Sequence, residues 1–197
     1  AKKYQKISKD DAEKLLNAFH NSLKIIDSLF ADKAFKRYYA GTDVNNSGYW
    51  ENKKFNVSLY DALMFAFRDK DINMVMNTKD LIREAIIGLM TSDEKFIESI
   101  SRSTSSKDML QYRCEVVERL IKDVLNTTSK QPRCFTLEFK QYLFDNNPTC
   151  EICGNRIEHI DDAAVDHIEQ YWQGGKTIPE NARLTHRYCN NARKRKE

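Results

Sequence analysis

Cys150 and Cys153 form one closely spaced ligand pair, and His186 and Cys189 repeat the same separation further on. Three thiols and an imidazole in two such pairs suit a tetrahedral Zn2+ held as a structural staple. Between and just after the pairs come Asp166-His167, Gly174-Gly175, Asn181 and Asn190. A carboxylate is a hard ligand suited to Mg2+ or Mn2+, and an amide oxygen at Asn190 can join it on the same ion. Imidazole titrates near neutrality and can take a proton from water. The chemistry these types suggest is metal-assisted attack of water on a phosphodiester.

Positioning those groups requires a particular scaffold. Ala163-Ala164-Val165 reads as a short strand leading into Asp166-His167, and Gly174-Gly175 as a tight turn. Thr185 is expected to cap a helix carrying His186 and Cys189 on one stripe, a turn apart. Neighbours on a regular strand face opposite sides, so Asp166 and His167 meet one site only if the backbone bends there. The stretch from Cys150 onward is too short for a self-sufficient core, so a metal staple is expected.

Upstream, the chain reads as helix after helix. Ser8 and Asp11 give an N-terminal cap signal, followed by Leu15, Leu16, Phe19, Leu23, Ile26 and Phe30 at helical spacing. The spacing resumes over 59–67, 81–89, 109–125 and 136–144. A long loop is expected over 41–54, with Tyr38, Tyr39, Tyr49 and Trp50 packing around it. Asp145-Asn146-Asn147-Pro148 marks a boundary, dividing the chain into an α-helical domain (1–146) and a small zinc-stapled domain (147–197).

With 41% hydrophobic and 31% charged residues the chain can bury a core and remain soluble. No apolar run approaches the ~18–20 residues of a membrane span, and no secretory signal is visible, so no membrane partner and a cytoplasmic location are expected. Five cysteines without a secretory signal suggest a reducing compartment; Cys114 and Cys134 read as ordinary buried thiols. The net charge of +3 is weak evidence for a polyanionic partner, but Arg193, Lys194, Arg195 and Lys196 cluster. Residue 1 is alanine, and a fragment of a longer protein is expected.

Cys-x-x-Cys (150–153), Val-Asp-His-Ile (165–168), Gly-Gly (174–175), Glu-Asn (180–181), Leu184 and Cys-Asn (189–190) together resemble the HNH nuclease family. The resemblance implies a ββα-metal fold, making the whole chain mainly α with a C-terminal nuclease domain. It implies His167 as general base, Asp166 and Asn190 as ligands of a catalytic Mg2+ or Mn2+, and Asn181 as a brace for the loop and base. It implies DNA as partner, expected double-stranded, with products ending in 5′-phosphate and 3′-hydroxyl groups. Arg187, Arg193 and Lys194 are then candidates for backbone contacts. His186 stands where the family often has cysteine; it completes the Cys3His zinc set or serves as the family's third histidine, and its spacing from Cys189 favours zinc.

The helical part resembles, on Phe35-Lys36-Arg37, residues 56–62 and residues 104–113, the middle segment of GmrSD-type restriction and phage-defence proteins. That resemblance implies an upstream nucleotide-hydrolysing sensor domain. Two other readings stay open: a non-catalytic zinc module that binds nucleic acid, and a ribonuclease using the same chemistry. Tyr171 and Trp172, in the loop after the base, either wedge against a sugar or base or cover the domain's edge.

Overall fold

A computed structural model describes residues 7–43, 45–127 and 134–193. The first helix, α1 (Lys9–Phe30), starts where expected, with the Ser8 hydroxyl accepting from the Asp11 amide. Its stripe is only half used: Ile25, Ile26, Leu29 and Phe30 are buried, whereas Leu15, Leu16 and Phe19 are exposed. Helices α2 (Val57–Phe67), α4 (Lys79–Ser92) and α6 (Lys107–Thr127) follow the apolar spacing. Two further helices escape it, α3 (Ile72–Met76) and α5 (Glu94–Ser101), each started by an aspartate whose carboxylate caps the first turn. Both are too short for periodicity to register.

Leu59, Leu63 and Phe67 pack with Ile82, Ile86, Phe96, Val117 and Ile121 to form the main core. The expected 41–54 loop is partly ordered by a small antiparallel pair: β1 (Tyr38–Tyr39), just before it, pairs with β2 (Tyr49–Trp50), inside it, and Tyr39 stacks on Tyr49. The thiols differ from expectation: Cys114 is half-buried and Cys134 is exposed. Among the described residues, no helix is long and apolar enough to cross a membrane.

Beyond α7 (Leu137–Asn146) the chain forms an antiparallel hairpin of β3 (Ala163–His167) and β4 (Ala182–His186), then a short helix, α8 (Arg187–Ala192). Registry pairs Ala163 with His186, Asp166 with Arg183 and His167 with Ala182. Thr185 does not cap α8: it lies in β4 with its hydroxyl donating to the Ala164 carbonyl, and His186 occupies the cap position. A second, small core joins Cys150, Ile157, Ala163, Leu184 and Cys189, with Leu143 and Phe144 of α7 packed on it. Helix α7 thus closes the C-terminal module while also reaching the helical body.

The seam between the two parts is ionic. Glu84 of α4 accepts from Arg187 of α8 (2.7 Å) and from Lys140 of α7 (3.2 Å). Beside it, Arg83 grips the Asp161 carboxylate with two hydrogen bonds of 2.9 and 3.1 Å, and the Trp50 indole donates to the same carboxylate. Burial opposes ionisation of Glu84, but Arg187 and Lys140 hold its carboxyl below the ordinary range. Burial and the Arg187 charge draw Lys140 down to about 8 against the pull of Glu84. Removing one partner of such a set leaves buried charge uncompensated, which typically costs about 3–5 kcal/mol. Glu84→Ala is therefore expected to destabilise the protein by that order in chemical denaturation; a loss under about 1 kcal/mol would refute the seam's role.

Candidate active site and metal centre

Cys150 and Cys153 lie on a turn closed by Gly154 at φ 73°, its amide donating to the Cys150 carbonyl at 2.8 Å. His186 ends β4 and Cys189 lies one turn into α8. Their ligand atoms, three Sγ and one imidazole nitrogen, all fall within 4.8 Å of one another. Nδ1 of His186 faces Cys153 Sγ at 3.4 Å and Cys189 Sγ at 4.0 Å, while Nε2 meets the Arg156 carbonyl at 3.1 Å. A carbonyl partner requires the proton on Nε2, which leaves Nδ1 as the ligand nitrogen. The His186 amide also donates to Cys150 Sγ at 3.3 Å, the bond a thiolate there accepts. Burial opposes ionisation of Cys153, yet the backbone and side-chain amides of Asn155 and its neighbouring thiols draw it to about 6; burial and those thiols push Cys189 to about 12. Donor types, proximity and the oriented imidazole fit a closed zinc site.

Asp166, His167 and Asn190 line one cleft of about 360 Å³. Residues 164–167 all border it, although β3 stays paired through His167. Residues of both facings of β3 therefore border the cleft, together with residues of α4, α7 and α8. The remaining walls come from Glu84 and Ala85 of α4, residues 134–137 and Lys140 at the start of α7, the loop over 170–172, and Arg187 and Arg193.

Asp166 is nearly buried and accepts from Arg183 (2.7 and 2.9 Å) and Arg193 (2.7 Å), all on Oδ2. Among these described contacts Oδ1 is left for a cation. An anionic carboxylate and an Asn190 amide bordering the same cleft fit a hard divalent ion by donor type. His167 is fixed by the Thr177 hydroxyl at 2.9 Å from Nε2 and by rings on either side, Phe135 at 4.7 Å and Tyr171 at 5.8 Å. Thr177 and Phe135 escaped the sequence reading: an isolated hydroxyl and an isolated ring carry no spacing signal.

Asn181 acts on the loop rather than on the imidazole. Its Oδ1 accepts from the Glu169 amide (2.8 Å), and its Nδ2 donates to the carbonyls of Glu169 and Lys176. The loop turns at Gly174, φ 98°, and a Cβ on Gly175 would run into the Glu169 carbonyl. Gly175→Ala is accordingly expected to push the loop off Asn181. Hydrogen exchange at the Glu169 amide should rise on the order of tenfold, the loss of one modest hydrogen bond; unchanged protection would count against this clamp.

Two of the basic residues expected at a DNA backbone border the cleft and are engaged within the protein. Arg187 is buried, with its guanidinium on Glu84 and the Asp161 carbonyl. Arg193 binds Asp166 and the carbonyls of His167 and Ile168. Lys194 lies outside the described residues.

The hairpin and helix thus carry a Cys/His group that could hold a metal ion and a separate cleft bordered by a carboxylate, an imidazole and an amide. The family model for HNH endonuclease matches residues 150–196, so this segment carries an HNH endonuclease domain, which implies nuclease chemistry on nucleic acid. Comparisons with curated proteins and with solved structures gave no match.

Proposed function

We propose that this protein is a metal-dependent DNA endonuclease whose C-terminal domain hydrolyses phosphodiester bonds. The observation that carries the reading is that Asp166, His167 and Asn190 border a single cleft inside the segment matching the HNH endonuclease model. His167, its ring held by Thr177, accepts the proton of a water lined up with the scissile phosphorus. Asp166, oriented by Arg183 and Arg193, presents its remaining oxygen to the cleft. When bound between Asp166 and Asn190, Mg2+ or Mn2+ supplies positive charge against the phosphate and the departing 3′ oxygen. Asn181 keeps the loop behind His167 in register. Cys150, Cys153, His186 and Cys189 hold a structural zinc that fixes α8, and with it Asn190, against the hairpin. In the cell, we assign the chain to a restriction or phage-defence system in which the helical body connects the nuclease to an upstream nucleotide-hydrolysing sensor.

The test is plasmid DNA incubated with the zinc-loaded protein in Mg2+ or Mn2+. Conversion of supercoiled to nicked or linear DNA is expected, with none when the ion is withheld. A shift in DNA mobility without cutting would instead identify a binding module, and cleavage confined to a parallel RNA substrate would identify a ribonuclease.

A further inference from the structure

Five rings form a continuous row across the candidate site. Tyr142 stacks on Phe139 at 6.3 Å between centroids, Phe139 lies 5.6 Å from Phe135, Phe135 4.7 Å from His167, and His167 5.8 Å from Tyr171. The row is assembled from two elements, the start and body of α7 and the loop after β3. Phe135, His167, Tyr171 and Trp172 all line the cleft. Both ends are open to solvent, Tyr142 being 62% and Tyr171 36% exposed, and Trp172, next to Tyr171 in the chain and lining the same cleft, is 51% exposed.

The charge around the cleft runs the other way. Its lysine and arginine side chains among the described residues are each held by a carboxylate: Lys140 and Arg187 by Glu84, and Arg193 by Asp166. Binding of a fully paired duplex draws chiefly on lysines and arginines that neutralise phosphates. Stacking on aromatic rings requires bases with an uncovered face, which a closed duplex does not offer and an unpaired strand does. A cleft of about 360 Å³ is at the small end of ligand-sized clefts, which run from roughly 300 to 1,000 Å³.

We propose that the aromatic row holds unpaired nucleotides of DNA beside His167, so that the protein cuts at single-stranded or locally unpaired segments in preference to uninterrupted duplex. The inference rests on the nuclease reading for its cutting step but not for its binding step. The base next to the scissile phosphate stacks against Tyr171 and Trp172, and the strand continues along Phe135 and Phe139 toward Tyr142. Specificity by this route is for pairing state, because every base has a stacking face.

Three labelled DNA oligonucleotides of one sequence test it: single-stranded, fully paired, and paired with a central unpaired bulge. Binding to the wild-type zinc-loaded protein is read by fluorescence anisotropy in Ca2+, and cleavage in Mn2+. The two unpaired substrates are expected to bind about tenfold more tightly than the duplex, with Trp172→Ala and Tyr142→Ala each lowering that ratio severalfold and Trp172→Phe restoring it. Zinc content of each variant checks that the domain is intact. Equal binding of all three, or a ratio that neither alanine variant moves, overturns the proposal. Cutting without preference leaves the nuclease reading standing and sinks this inference. Aromatic-dependent binding of unpaired DNA with no cutting does the reverse.

Discussion

His167→Ala is expected to lower DNA cleavage by about a thousandfold while leaving zinc content and helical signal unchanged. A positioned general base contributes roughly 10²–10⁴ in rate, and an alanine has nothing to accept the proton of the attacking water. The imidazole is also a rung between Phe135 and Tyr171, so a second variant separates chemistry from packing. His167→Asn fills similar space, keeps a polar atom near Thr177, and should be as inactive as the alanine. Single-turnover nicking of plasmid is the measurement. Undiminished nicking by both variants would remove His167 from the reaction, whatever the standing of the metal sites.

Loss of the clamp should have a structural effect of comparable size. Cys150→Ser, or extraction of the metal by a chelator, is expected to unfold the C-terminal module while the helical body keeps most of its helical signal. The reason is the size of the second core: Cys150 and Cys189 are themselves two of its buried members, beside Ile157, Ala163 and Leu184. Zinc sites of this kind supply about 10–16 kcal/mol of binding free energy at neutral pH, which becomes folding free energy when the apo segment cannot fold alone. Metal analysis should find about one zinc per chain. Retention should fail as pH falls, since the thiols must be deprotonated to bind and protons then compete with the ion. A Cys150→Ser protein that keeps its zinc and resists proteolysis within residues 150–193 would show that the clamp is not what holds the hairpin. Arg187 carries the damage further: it adjoins His186 and pairs with Glu84, so a disordered α8 also strands a buried carboxylate in α4.

The local features were legible because their signals are local. Ser8 announces α1, Thr136 announces α7, and the apolar spacing of 59–67 and 109–125 marks α2 and α6. The two ligand pairs are spaced for one ion, and their atoms do converge. Misreadings arose where tertiary packing overrides propensity. Thr185 looks like a cap but is claimed by the β4 strand, and Leu15, Leu16 and Phe19 share a stripe with buried residues but are left exposed among the described residues.

By itself, the sequence offered two groups of candidate residues: Cys150, Cys153, His186 and Cys189 as one set by ligand spacing, and Asp166, His167 and Asn190 as another by residue type and family resemblance. Ligand spacing and residue type are properties of short segments, so no fold is needed to read them. Only the tertiary structure decided what surrounds the second set. The Glu84–Arg187 pair spans 103 positions of the chain, and Phe135 and Thr177 reach His167 from different elements. Contacts across such separations leave no periodicity in the sequence, because they arise only when independently folded surfaces are brought face to face.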